Sequence, residues 1–204
     1  MALPGGFAPV SANSLITINK TTGAGTLVGA TGLTGPVADI TFTSGGTLYG
    51  WSEASDDLVT INLVTGVATV VGDSTIGTAG SGLAASSANV LFFTGNGAVG
   101  ANLRTVNSAT GLTTVVAAMT GPAGGPQINA LAFSGSTLYG SRTASVSLGS
   151  VTDLITINTT TAVITVRGTS VVNLDAIAFD VNGTLYAADG GGGNPATRLY
   201  TLNP

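Results

Sequence analysis

Leu15-Ile-Thr-Ile-Asn19 returns four times along the chain, as Leu58-Val-Thr-Ile-Asn62, Leu103-Arg-Thr-Val-Asn107, Leu154-Ile-Thr-Ile-Asn158 and Leu199-Tyr-Thr-Leu-Asn203. The start-to-start spacings are 43, 45, 51 and 45 residues, the length of one supersecondary unit in a repeat protein. The first four copies run into Asn-Lys-Thr-Thr-Gly23, Asn-Leu-Val-Thr-Gly66, Asn-Ser-Ala-Thr-Gly111 and Asn-Thr-Thr-Thr-Ala162. An Asn able to bond its own backbone, followed by a Gly suited to positive φ, is hairpin chemistry. Ala162 breaks that pattern and predicts a turn that is altered or strained.

Working outward, a second β-type run follows each turn: Thr26-Leu-Val28, Thr69-Val-Val71, Thr113-Thr-Val-Val116 and Ile164-Thr-Val166. A Gly/Ser/Thr-rich connection leads to a small apolar run, Asp39-Ile-Thr-Phe42, Gly82-Leu-Ala-Ala85, Ala130-Leu-Ala-Phe133 or Ala176-Ile-Ala-Phe179. A tight turn then precedes Thr47-Leu-Tyr-Gly50, Val90-Leu-Phe-Phe93, Thr137-Leu-Tyr-Gly140 or Thr184-Leu-Tyr-Ala187. Four short strands per unit without any helical period make an all-β repeat protein. A solenoid needs a shorter period, so the spacing selects a β-propeller of four to five blades, with four antiparallel strands per blade and about 45 residues per repeat. The small run suits the crowded axis and is taken as strand A; the Leu-Tyr run is B, the Leu-x-Thr-Ile-Asn run C and the Thr-Val-Val run D.

Ala176-Ile-Ala-Phe-Asp-Val-Asn-Gly-Thr-Leu-Tyr-Ala-Ala-Asp189, followed by Arg198-Leu-Tyr-Thr-Leu-Asn203, resembles the repeat of NHL-type and related propellers. The Leu-x-Thr-Ile-Asn-x-x-Thr-Gly phrase is similar to repeats in secreted or surface-displayed bacterial propellers of unassigned function. The resemblance runs from about residue 14 to residue 203 and implies a blade, not an activity, because propellers host many functions. Residues 1–13 are read as an N-terminal segment, with Phe7-Ala-Pro-Val10 as a degenerate B strand, and 14–204 as one propeller domain. The strand count allows four full blades with one strand over, or five blades of which two are incomplete. Pairing of residues near Leu15 with residues near Leu199 is the expected closure, since it removes exposed edges.

Composition narrows the function. Of 204 residues only 14 are charged, five basic and nine acidic, against about a quarter in ordinary domains. A net charge of −4 with so few basic groups offers no footprint for nucleic acid or an anionic membrane. The apolar runs are short and interrupted, which argues against membrane insertion by a helix. With no His and no Cys, the commonest general base, the thiol nucleophile and disulfides are absent. Nothing calls for a cofactor, and a Ser nucleophile would have no activating base, so the chain is expected not to be an enzyme. Met1 to Val10 shows neither a cationic start nor an apolar stretch of signal-peptide type.

Three features remain as site candidates. Asp39 and Asp175 start inner strands one register apart, and Asn129 occupies the position equivalent to Asp175; such oxygens could hold a hard cation in the channel, as in lactonase-like propellers. Glu53, Asp56 and Asp57 cluster beside Trp51 between strands B and C of one unit, where an aromatic flank suits a binding loop. The longest B–C loop, Ser141 to Asp153, carries Arg142 and offers a second recognition surface. Gly95-Asn-Gly-Ala-Val-Gly100 matches a dinucleotide fingerprint by letter only, because it lies between strands and opens no helix. The expected function is therefore a structural or interaction module on a cell surface or virion, bound to protein partners and assembled as a homo-oligomer or larger array. The alternatives are a multivalent carbohydrate-binding propeller, which would bind glycans, and a metal-dependent hydrolase.

Overall fold

The computed structural model describes residues 13–77, 80–95, 102–121, 127–145, 151–170, 173–189 and 198–204. Among them the chain is strand and turn throughout, with no helix, and so none long and apolar enough to cross a membrane. Three four-stranded antiparallel sheets follow one another. Blade I is β3 (Val37–Phe42), β4 (Leu48–Ser52), β5 (Asp57–Ile61) and β6 (Ala68–Asp73). Blade II is β7 (Gly80–Ala85), β8 (Leu91–Gly95), β9 (Asn102–Val106) and β10 (Thr113–Ala118). Blade III is β11 (Ile128–Ser134), β12 (Thr137–Ser145), β13 (Val151–Ile157) and β14 (Ile164–Ser170). Blade IV has three strands, β15 (Leu174–Phe179), β16 (Leu185–Asp189) and β17 (Leu199–Leu202), while β1 (Ser14–Ile18) and β2 (Gly25–Ala30) form a separate pair. The chain is thus an all-β propeller with four inner strands, β3, β7, β11 and β15, each packed on the next.

The inner strands carry small residues for the reason expected, since neighbouring blades crowd the axis. Leu83, Leu131 and Ile177, on three of the four inner strands, are buried, whereas Ile40 of β3 is exposed. Trp51 of β4 stacks on Phe93 of β8 with ring centroids 3.8 Å apart, joining blade I to blade II. Phe92 meets Phe133, and Tyr139 meets Phe179, in the two interfaces that follow. These contacts fuse the sheets into continuous apolar clusters that cross every blade boundary from I to IV.

The turn glycines answer to two constraints. Gly23, Gly66 and Gly111 adopt φ of 72°, 78° and 78°, as hairpin chemistry requires. Packing adds a demand that one repeat cannot reveal: a Cβ on Gly66 would strike the carbonyl of Gly29 on the preceding outer strand, and a Cβ on Gly111 that of Gly72. Blade II meets blade III differently. Ala117 and Ala162 replace the glycine pair together, and Ala162 keeps the left-handed turn at φ 56° with its methyl buried. There Ile164 N–H donates to the Thr120 carbonyl at 2.7 Å, a backbone bond between blades. The turn at Ala162 is therefore the same turn with a methyl accommodated.

The ends meet otherwise than expected. β1 pairs with β2 and β17 with β16; no pairing joins Leu15 to Leu199. The turn after β1 instead packs on blade IV: Lys20 Nζ lies 2.9 Å from Asp180 Oδ2 and 5.4 Å from the Tyr186 ring centroid, and Gly23 faces Leu199. The same relation holds inside the ring, where the Tyr49 hydroxyl of blade I donates to the Ser108 carbonyl in the turn of blade II. The β1–β2 pair accordingly stands in a fifth position, after blade IV and before blade I. Residues 1–12, with the strand expected at Phe7 to Val10, lie outside the described residues.

Candidate functional site

Only one inner strand carries an acid where the others carry Gly82, Ala130 or Ala176, and that acid sits at the axis. Asp39 Oδ2 accepts the backbone N–H of Leu83 at 2.9 Å and of Leu131 at 3.2 Å, while Oδ1 accepts that of Ile40 at 2.9 Å. Its carboxyl thus ties together three successive inner strands. Burial pushes the Asp39 carboxyl up to about 7, partly offset by those three N–H donors. A folded pKa above the unfolded value means that the folded state holds the proton more tightly. Stability from this group is complete below about pH 4 and lost as pH rises to about 7. We expect denaturation midpoints to fall across that window by an equivalent of about 2–4 kcal/mol. Asp56 and Asp175 are shifted in the same direction, so the Asp39→Asn variant isolates the axial share by flattening the profile. A slope unchanged in that variant would show that Asp39 is not its source.

The other proposed cation ligands make hydrogen bonds to groups other than Asp39. Asn129 accepts the Thr143 hydroxyl at 3.2 Å and donates to the Leu174 carbonyl at 3.3 Å. Asp175 accepts from Asn173 at 2.8 Å, and the charge that raises its carboxyl, after burial, is Asp189. Among the described residues no group of three acids is arranged to hold a metal.

The expected binding loop in blade I divides into two parts. Trp51 is 0% exposed in the blade interface, so its ring is no surface platform, and its indole N–H finds no partner among the described residues. Glu53, Asp56 and Asp57 do come to the end of the blade, where Asp57 pairs in register with Asp73, a fourth acid. Asp56 takes φ 54°, and burial, then Asp73 and Asp57, push its carboxyl up. Arg142 is likewise no loop residue: β12 extends through it, and it is buried opposite Asp153 of β13, with Nη2 2.6 Å from Oδ2. Asp153 Oδ1 also accepts the Thr169 hydroxyl at 2.7 Å. The causes differ: Trp51 is taken up by its stack on Phe93, whereas Arg142 is drawn into the sheet by the length of β12.

The outer surface is the most regular feature. Each outer strand exposes a Thr and an aliphatic in the same register: Thr26 and Leu27, Thr69 and Val70, Thr114 and Val115, Thr165 and Val166. Leu112 and Val163, beside the turns, extend this apolar rim. Between β1, β3 and β15 a cavity of ≈ 370 Å³ opens, with Asp39, Ile40 and Ala176 on its walls.

No protein-family model matches the chain, and comparison with curated proteins gives no match. Solved structures do. A chain of a nidogen/laminin complex is 12% identical with a TM-score of 0.63, over 95% of this chain and 72% of that one. The PQQ-bound aldose sugar dehydrogenase of Streptomyces coelicolor is 17% identical with a TM-score of 0.58, over 95% and 65%. Virginiamycin B lyase of Staphylococcus aureus is 12% identical with a TM-score of 0.55, over 95% and 64%. What they share is the propeller. This chain spans about two thirds of the latter two, and at such identities the likeness shows the fold alone.

Proposed function

We propose that the chain is a non-enzymatic interaction module, displayed on a cell surface or virion, that works through protein–protein contacts made by its outer strands. The observation that carries this reading is the rim, where four outer strands repeat an exposed Thr beside an exposed Leu or Val. Aliphatic groups gain on burial and a Thr hydroxyl can be satisfied by a hydrogen bond to a partner, whereas scattered charges would have to be paired. The repetition multiplies weak contacts into avidity. Of the aromatic residues of the B strands, Phe92 packs on Phe133 and Tyr139 on Phe179 between blades, which favours this reading over a sugar platform at those two positions. Assays for esterase and lactonase turnover, with and without Ca²⁺, are expected to give none. Metal-dependent turnover abolished by Asp175→Asn would overturn the reading in favour of the hydrolase.

A further inference from the structure

The four outer strands are all interrupted at one register. Leu15 faces Gly29 and Ile16 faces Leu27, which leaves Val28 of β2 with no partner on β1. Leu58 faces Gly72 and Val59 faces Val70, leaving Val71 of β6. Leu103 faces Ala117 and Arg104 faces Val115, leaving Val116 of β10. Leu154 faces Gly168 and Ile155 faces Val166, leaving Arg167 of β14. Each outer strand thus carries one extra residue opposite the first two residues of the Leu-x-Thr phrase. Such a β-bulge bends the strand and increases its twist at that point.

Among the described strands, β2, β6, β10 and β14 each pair on one side only. They read Gly25-Thr-Leu-Val-Gly-Ala30, Ala68-Thr-Val-Val-Gly-Asp73, Thr113-Thr-Val-Val-Ala-Ala118 and Ile164-Thr-Val-Arg-Gly-Thr-Ser170. Rich in β-branched residues, nearly uncharged, and exposed at Leu27, Val70, Val115 and Val166, edges of this kind invite a further strand. Proteins commonly blunt them with Lys or Pro, and none of the four has either; β2 and β10 have no charge at all. The bulge is the device that all four share. Packing between blades does not account for it alone. In β2 and β6 the residue after the bulge lies against the turn of the following sheet, where a Cβ on Gly29 would strike the Thr65 carbonyl and one on Gly72 that of Thr110. β14 is bulged in the same register, although a Cβ on Gly168 meets nothing within 4 Å.

We propose that the four bulges bar the outer strands from pairing, edge to edge, with a strand of a second copy of this chain, so that any contact the rim makes runs through its Thr, Leu and Val side chains. This goes beyond the reading of the rim as a contact surface, and stands or falls without it. The test is deletion of Arg167, which is exposed. Deletion leaves Leu154 opposite Gly168 and Ile155 opposite Val166, and makes β14 a regular edge. Arg167→Ala, which removes the charge and keeps the extra residue, is the control. The deletion variant is expected to melt cooperatively, as the parent does, yet to form pelletable assemblies that raise thioflavin T fluorescence at least about tenfold over the parent and do not dissolve on dilution. Parent and Arg167→Ala are expected to stay soluble. A deletion variant that melts as the parent does and stays equally soluble overturns the proposal, and so does equal assembly by Arg167→Ala. Should the deletion variant lose its cooperative melt, amide hydrogen exchange of the parent decides. Amides of β2, β6, β10 and β14 are expected to exchange alike in dilute and concentrated solution, and slowing by about a hundredfold or more on concentration would show strand addition and overturn the proposal.

Discussion

Replacement of Arg142 by Met is expected to cost about 3–5 kcal/mol of folding stability, as measured by denaturant unfolding, although the residue touches no ligand. The guanidinium and the Asp153 carboxylate are both buried in blade III, 2.6 Å apart. Removing one partner leaves the other charge in the sheet with the Thr169 hydroxyl as its remaining side-chain donor. Removing both is a different experiment. The double variant Arg142→Met, Asp153→Leu should recover most of the loss, because the cost lies in the stranded charge and not in the absence of the pair. A single variant within about 1 kcal/mol of the parent would mean that this end of the blade admits water.

Gly66→Ala is the second large effect, expected at about 2–4 kcal/mol, because two penalties coincide. The residue has φ 78°, and its new methyl would meet the Gly29 carbonyl, a backbone atom that cannot rotate away. Gly168 supplies the control. It stands on the outer strand of blade III in the place of Gly29, but among the described residues blade IV has three strands, and a Cβ on Gly168 meets nothing within 4 Å. Gly168→Ala should therefore change stability by less than about 1 kcal/mol. Equal losses at both positions would show that the glycines serve strand conformation and not the contact between blades.

The strands and their order were legible because each repeat states its own period, and the five Leu-x-Thr copies fall on β1, β5, β9, β13 and β17. Relations between repeats were harder to read. The sequence explains Gly66 by its turn alone, because its second reason lies on β2, in another repeat. Composition puts Arg142 in a loop because it marks where a strand could end, not how far pairing continues. Carrying the register of Leu138 with Ile157 outward sets Arg142 opposite Asp153, so that pair was recoverable from the sequence. Trp51 invited a binding reading through its rarity, yet its register partner is Leu58, the first residue of the C-strand phrase, which belongs to the core. Asp39 was visible as the single acid in a column of small residues. Its role was not, since its amide partners come from two other repeats.

A working surface on the rim is tested most directly by sedimentation velocity of the parent beside a variant in which Leu27, Val70, Val115 and Val166 are all Ser. These side chains are exposed, and the variant should keep the parent's strand content and melting behaviour. At tens of micromolar (roughly 10–50 µM) the parent is expected to sediment as a reversible assembly whose weight-average coefficient rises with concentration, and the variant as a monomer. A parent that stays a compact monomer across that range, indistinguishable from the variant, would contradict the claim that the outer strands are the working surface.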